Sequence, residues 1–226
     1  MKYLILIITS LSSIYSIGQI QKEKIYGKEV IYIFEYSIFD NGTLKKEGEI
    51  YLGCLGNLKT YPKGDPQYQV IWTNKKEDLN RKVPSTGIIE TLNKVYLHPP
   101  RHYVFSILEY TPFPEIHFPI SKGQEWSKKL ALGKYWVNDK YNMKAEDVLL
   151  FEYKYINKQE YTPLFLSNKS IDCYYIYANT TNTNPETSFS GLYNSNYGFV
   201  KLTFKNIDNS LIILELKSIK NWTEFF

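Results

Sequence analysis

Glu29-Val30-Ile31-Tyr32-Ile33-Phe34-Glu35-Tyr36-Ser37-Ile38-Phe39, followed by Asp40-Asn41-Gly42-Thr43, is the stretch on which the fold turns. Residues 29–39 are mostly β-branched or aromatic, without Gly or Pro. Such residues suit a pleated, half-buried surface better than a helix. Asn41-Gly42 then offers two residues that tolerate positive φ, as a tight antiparallel turn requires. Residues 44–55 read as the return strand of this hairpin.

Outward from this hairpin the same signals recur. Extended segments are expected at 67–73, 88–97, 103–110, 148–156 and 171–178, with a final hairpin from 199–204 and 211–219. Prolines and asparagines punctuate them. Only 74–82 and 143–151 offer a turn or two of helical pattern, and neither is well capped. Residues 179–196, rich in Asn, Thr and Ser, read as a long surface loop. The pattern predicts an all-β protein of eight to twelve strands, an antiparallel meander forming a curved sheet or open barrel, with a β-sandwich as the alternative. A single β-rich domain is expected over residues 19–226.

The chain has 226 residues, 43% hydrophobic and 22% charged, and a net charge of +4. Those figures exclude a disordered, collagenous or polytopic membrane chain. The aromatic share is 16%, with 21 Tyr, which reinforces the β reading. Only Arg81 and Arg101 are arginines, and lysines alternate with acids, as in Lys75-Lys76-Glu77-Asp78. No concentrated basic stripe is present, so a nucleic-acid partner is not expected. Met1-Lys2, the apolar run to Ile17, and the small residues Ser16 and Gly18 have the layout of a secretory signal peptide, residues 1–18, cleaved before Gln19. No later segment is long and apolar enough to span a membrane. The mature chain is therefore expected to be soluble and exported, to the periplasm or beyond.

Chemistry-bearing residues are few. Cys54 and Cys173 could form one disulfide in an oxidising compartment, or remain two separate buried thiols. All three histidines, His98, His102 and His117, lie in the proline-rich stretch 98–119 with Glu115. They could be zinc ligands, but His98 and His102 flank Pro99-Pro100 and have no helical spacing. The alternative is a rigid crossover between parts of the sheet. Arg101 follows the two prolines, and a stiffened Arg can clamp a ligand carboxylate or phosphate. It can equally clamp a structural acid, with Glu115 the first candidate. Trp126 and Trp136 could line a sugar or lipid cleft, or simply pack. No nucleophile elbow, glycine-rich phosphate loop or cofactor motif is present. The sequence thus recommends no catalytic residue and no cofactor.

Several elements, His98-Pro99-Pro100-Arg101, Pro112-Phe113-Pro114 with Pro119, Gly123 and Trp126, Cys173-Tyr174, and Tyr197-Gly198-Phe199-Val200-Lys201, resemble uncharacterised exported proteins of Bacteroidota-type bacteria. The terminal hairpin is also similar to periplasmic open-barrel proteins related to lipoprotein carriers. That similarity implies a curved sheet able to shelter an apolar or amphipathic ligand. Two further readings stay open: a glycan or cell-surface recognition module, and a metal-dependent hydrolase built on the histidine segment.

Overall fold

The computed structural model describes residues 24–60, 62, 64–81 and 84–226. The expected signal segment 1–18 and its cleavage point lie outside the described residues. Twelve strands form one antiparallel sheet: β1 (Glu29–Asp40), β2 (Thr43–Lys59), β3 (Gln67–Thr73), β4 (Thr86–Glu90), β5 (Lys94–Leu97), β6 (Glu115–His117), β7 (Glu125–Ala131), β8 (Val148–Tyr161), β9 (Ile171–Thr180), β10 (Ser188–Asn194), β11 (Gly198–Lys205) and β12 (Leu211–Asn221). Their spatial order is β6-β5-β4-β3-β2-β1-β12-β11-β10-β9-β8-β7. The first and last strands therefore pair at the centre, and the edges are β6 and β7, which follow each other in sequence. The sheet curls into an open half-barrel, the all-β fold that the alternation predicts.

The opening hairpin forms as read. Asn41 and Gly42 take φ of 48° and 75°, and Asp40 pairs with Thr43. Alternation then sorts β1 by face. Val30, Tyr32, Phe34 and Tyr36 join the main buried cluster, while Ile31 and Ile33 join a smaller one with Ile71 and Leu79. A C-terminal turn of helix, α1 (Trp222–Phe225), packs Trp222 and Phe225 over the smaller cluster.

Strands β5 and β6 are buried on both faces. Val95, Leu97 and Ile116 belong to the main cluster. Tyr96, Glu115 and His117 project the other way and meet inward-facing side chains of β7. Trp126 stacks on His117 at 4.8 Å, and the Lys128 ammonium sits 3.2 Å from the centre of the Tyr96 ring. The sheet thus rolls past itself, with its β5–β6 edge tucked inside and β7 across it. This shields a β edge that would otherwise offer unpaired backbone.

Several elements differ from the sequence reading, including β6 and β7, where no strand is expected. Residues 103–110 form a 3-10 helix rather than a strand. Alternating Tyr103, Phe105 and Ile107 imitate period two, but the left-handed φ of Tyr103 opens a turn and the backbone bonds locally, the Phe105 N–H to the His102 carbonyl and the Thr111 N–H to the Leu108 carbonyl. Phe105 and Leu108, one turn apart, both point into the main cluster. Residues 88–97 divide into β4 and β5 around a turn in which Thr91 bonds back to the amides of Asn93 and Lys94. The expected loop 179–196 contains β10, whose Phe189, Gly191, Leu192 and Tyr193 are buried. Of the two helical candidates, 74–82 yields a 3-10 helix at Lys76–Asn80, and 143–151 runs into β8.

Candidate functional site

The concave face is not empty. The segment 98–114 crosses it, and Phe105, Leu108 and Tyr110 join the same cluster as the inner residues of β1, β2 and β11. Phe105 meets Tyr36 edge-on at 5.2 Å. Both ends of the segment are fixed by polar bonds. Trp72 donates its indole N–H to the His98 carbonyl at 2.7 Å, and the hydroxyls of Thr187 and Tyr153 donate to the carbonyls of Tyr110 and Phe113. The prolines suit this path, because a crossing segment has no ladder for their missing N–H to break.

Arg101 lies within this segment at the centre of a buried polar cluster. Its Nε stands 2.8 Å from Glu109 Oε1, but off the line of a directed hydrogen bond. Its Nη2 contacts His98 Nε2. His98 Nδ1 lies 2.9 Å from the Pro99 carbonyl, which assigns the proton to Nδ1 and leaves Nε2 as the acceptor facing Arg101. Burial, helped by the Arg101 charge, pushes the His98 pKa down to about 3, so this imidazole is neutral. Burial pushes Glu109 up to about 7, against the pull of Arg101. The acid that Arg101 faces within the chain is Glu109, not Glu115. Three positions separate His98 from Arg101 and eight separate Arg101 from Glu109. Only the 3-10 helix brings the third of these back, which is why the reading in strands missed it.

Glu115 serves the rolled edge instead. It contacts His117 at 2.6 Å and Lys128 at 2.9 Å. Burial would raise its pKa, but the hydrogen bonds and charges of His117 and Lys128 outweigh burial and hold it below the ordinary carboxylate value. The three histidines go to different places: His98 to Arg101, His117 to Glu115 and Trp126, and His102 to a surface groove. Among the described residues no group of three or more His, Cys, Asp or Glu is placed to hold a metal ion. Cys54 and Cys173 are separate buried free thiols on β2 and β9, so no disulfide joins them.

The two candidate tryptophans differ in setting. Trp126 is sandwiched between His117 and Tyr153, at 4.8 and 5.3 Å and nearly parallel to both, so both ring faces are covered. Trp136 faces Arg101, whose Cζ lies 5.6 Å from the ring centre. Arg101 and Trp136 thus come together, while Trp126 borders a separate outer groove with Glu125, Glu152 and Lys154.

Two recesses flank the 98–105 stretch. One, of about 330 Å³, opens where the 3-10 helix meets β1–β3. Tyr36, Ile50 and Phe105 are among its apolar walls, and Lys46, Lys75 and His102 border it. Tyr103 and Val104 line it while 78% and 40% exposed, and Tyr103 holds a left-handed φ of 51°. The other, of about 240 Å³, lies at the far end of β3 and is lined by Arg101, Lys59 and uncharged polar groups.

No family model matches the chain, and no curated protein matches it. Among solved structures it is similar to a Bacteroides fragilis chain described as exported with a YmcC-like fold. That match has 9% identity and a TM-score of 0.44, covering 85% of this chain and 96% of that one. It is also similar to a Parabacteroides distasonis chain described as a lipoprotein, with 14% identity, a TM-score of 0.43, and coverage of 86% and 96%. Such names are of the kind that the sequence resemblance leads to, and likeness at this level carries nothing about activity.

Proposed function

We propose that this protein is exported, that residues 19–226 act as one β-rich domain, and that it binds an amphipathic anion in the groove between the 3-10 helix and β1–β3. The observation that carries the ligand reading is Tyr103 with Val104. A bulky aromatic side chain in left-handed backbone costs on the order of 1–3 kcal/mol. Here that cost is incurred to display Tyr103 beside an apolar groove instead of burying it. The groove volume falls in the ~300–1,000 Å³ range of small-molecule sites. Lys46 and Lys75 border it, as a charged headgroup would require.

The same geometry narrows the reading that a curved sheet suggests. The concave interior is packed by the chain's own segment 98–114, so the ligand is assigned to the mouth of the barrel. Sugar stacking on Trp126 is disfavoured, because both of its faces are taken. Export rests on the layout of residues 1–18. Among the described residues no helix is long and apolar enough to cross a membrane.

The test is a titration of the mature chain with laurate, a single-chain carboxylate, followed by isothermal calorimetry. Saturable binding at one site is expected, weakened about tenfold or more in a Lys46→Glu/Lys75→Glu variant, since two favourable charges become repulsive. Absence of binding, or equal affinity in the variant, rejects the reading.

A further inference from the structure

The second recess has a different chemistry. It lies where the starts of β3 and β4 meet the His98–Arg101 turn. Its charged residues are Lys59 and Arg101, and no carboxylate lines it among the described residues. Gln67, Gln69, Ser85 and Thr86 complete the wall, and Gln69 donates to the Ser85 hydroxyl at 2.7 Å. The Thr86 hydroxyl is buried without a hydrogen-bond partner among the described residues. A buried hydroxyl left unpaired is costly, and a bound acceptor would relieve it.

Arg101 is held so that one edge of its fork stays available. Its Nε faces Glu109, its Nη2 faces His98, and Trp136 lies against the guanidinium. Nη1 makes no hydrogen bond to the described residues. An Arg immobilised by its neighbours loses little entropy when it takes an oxyanion. Gly87 adds backbone to the lining, and a Cβ there would press on the Gln67 side chain and displace its amide.

We propose that this recess binds a small hydroxylated oxyanion, a carboxylate or phosphate carried on a polyol, with Arg101 and Lys59 on the anionic group and Thr86, Ser85, Gln67 and Gln69 on the remaining oxygens. The lining has the donors and acceptors for a polyol and little apolar surface for a hydrocarbon chain. At about 240 Å³ the space suits one small molecule rather than a polymer.

The experiment titrates the mature chain with D-glucuronate, inorganic phosphate and D-glucose, observed by amide chemical shifts. Glucuronate is expected to bind at least about tenfold more tightly than glucose, and laurate should not displace it. Glucuronate is also expected to bind more tightly than phosphate, whereas phosphate binding as tightly as glucuronate would show a bare oxyanion site and overturn the polyol assignment. Lys59→Met and Thr86→Val lie outside the Arg101–Glu109 pair and leave the fold in place. Each should weaken glucuronate about fivefold or more, and Arg101→Lys about tenfold, since Lys keeps the charge but not the fork. Glucose binding as tightly as glucuronate, no anion binding up to ~10 mM, or affinities unmoved in all three variants would overturn the proposal.

Discussion

Arg101 shows how little a residue's type says before its neighbours are known. One of two arginines in the chain, it could have been a ligand clamp, a structural clamp or a surface charge. Its position makes it the counter-charge of Glu109, whose side chain is only 5% exposed. Removing it strands that carboxylate. Because Arg101 is itself about one-third exposed, the cost should fall below the ~3–5 kcal/mol of a fully buried pair, at about 2 kcal/mol. The cost should also depend on pH. A carboxyl whose folded pKa is raised supports the fold fully below its unfolded pKa, and that support is lost as pH rises through the folded value. Without Arg101 the Glu109 pKa rises beyond about 7. Arg101→Ala should therefore destabilise clearly at pH 8 and little at pH 5, by urea unfolding at both. Equal destabilisation at the two pH values would show that Glu109 is not the partner that matters.

At the level of elements, the rolled edge depends on Glu115, the buried acid of β6. Its folded pKa is depressed, so its contribution is present above the unfolded pKa and disappears as pH falls through the folded one. Glu115→Gln should cost about 1–3 kcal/mol at pH 7. The gap to wild type should shrink as pH falls below the ordinary carboxylate range, measured by chemical unfolding. A gap that stays constant into acid would mean that the Lys128 and His117 contacts do not hold this edge. Strands that bury chiefly one face, such as β8 and β12, were legible because alternation records one-sided burial directly, and β1, buried on both faces, was legible from its unbroken β-branched and aromatic run. The 103–110 helix was not legible, because Tyr103, Phe105 and Ile107 alternate by accident of spacing. In the folded chain the segment joins no strand of the sheet and bonds to itself instead, which spacing alone does not record. Strand β10 was hidden by its polar flanks, although Phe189-Ser190-Gly191-Leu192-Tyr193 carried the pattern. The seam partners Glu115, Lys128 and Tyr96 were out of reach because they meet only once the sheet rolls past itself. Of the candidate site residues, Arg101 and Trp136 proved to be neighbours, and Trp126 went to the seam.

For the whole molecule, the consequence is a curled sheet whose interior is already occupied. A meander with its termini paired at the centre brings two edges round toward each other, and the 98–114 segment fills the space they enclose. On the proposed reading an amphipathic ligand would meet the barrel at its mouth, where the 3-10 helix leaves Tyr103 and Val104 uncovered. A lipid-carrier-like barrel would instead keep its concave face for the ligand. The two arrangements separate in a single experiment: amide and methyl NMR shifts of the mature chain on addition of laurate. The filled-barrel account expects perturbations clustered at Tyr36, Ile50, Val104 and Phe105, with Ile176, Leu202 and Leu214 unmoved. Large shifts at those three core residues would contradict it, because they require the 98–114 segment to leave and the ligand to take its place.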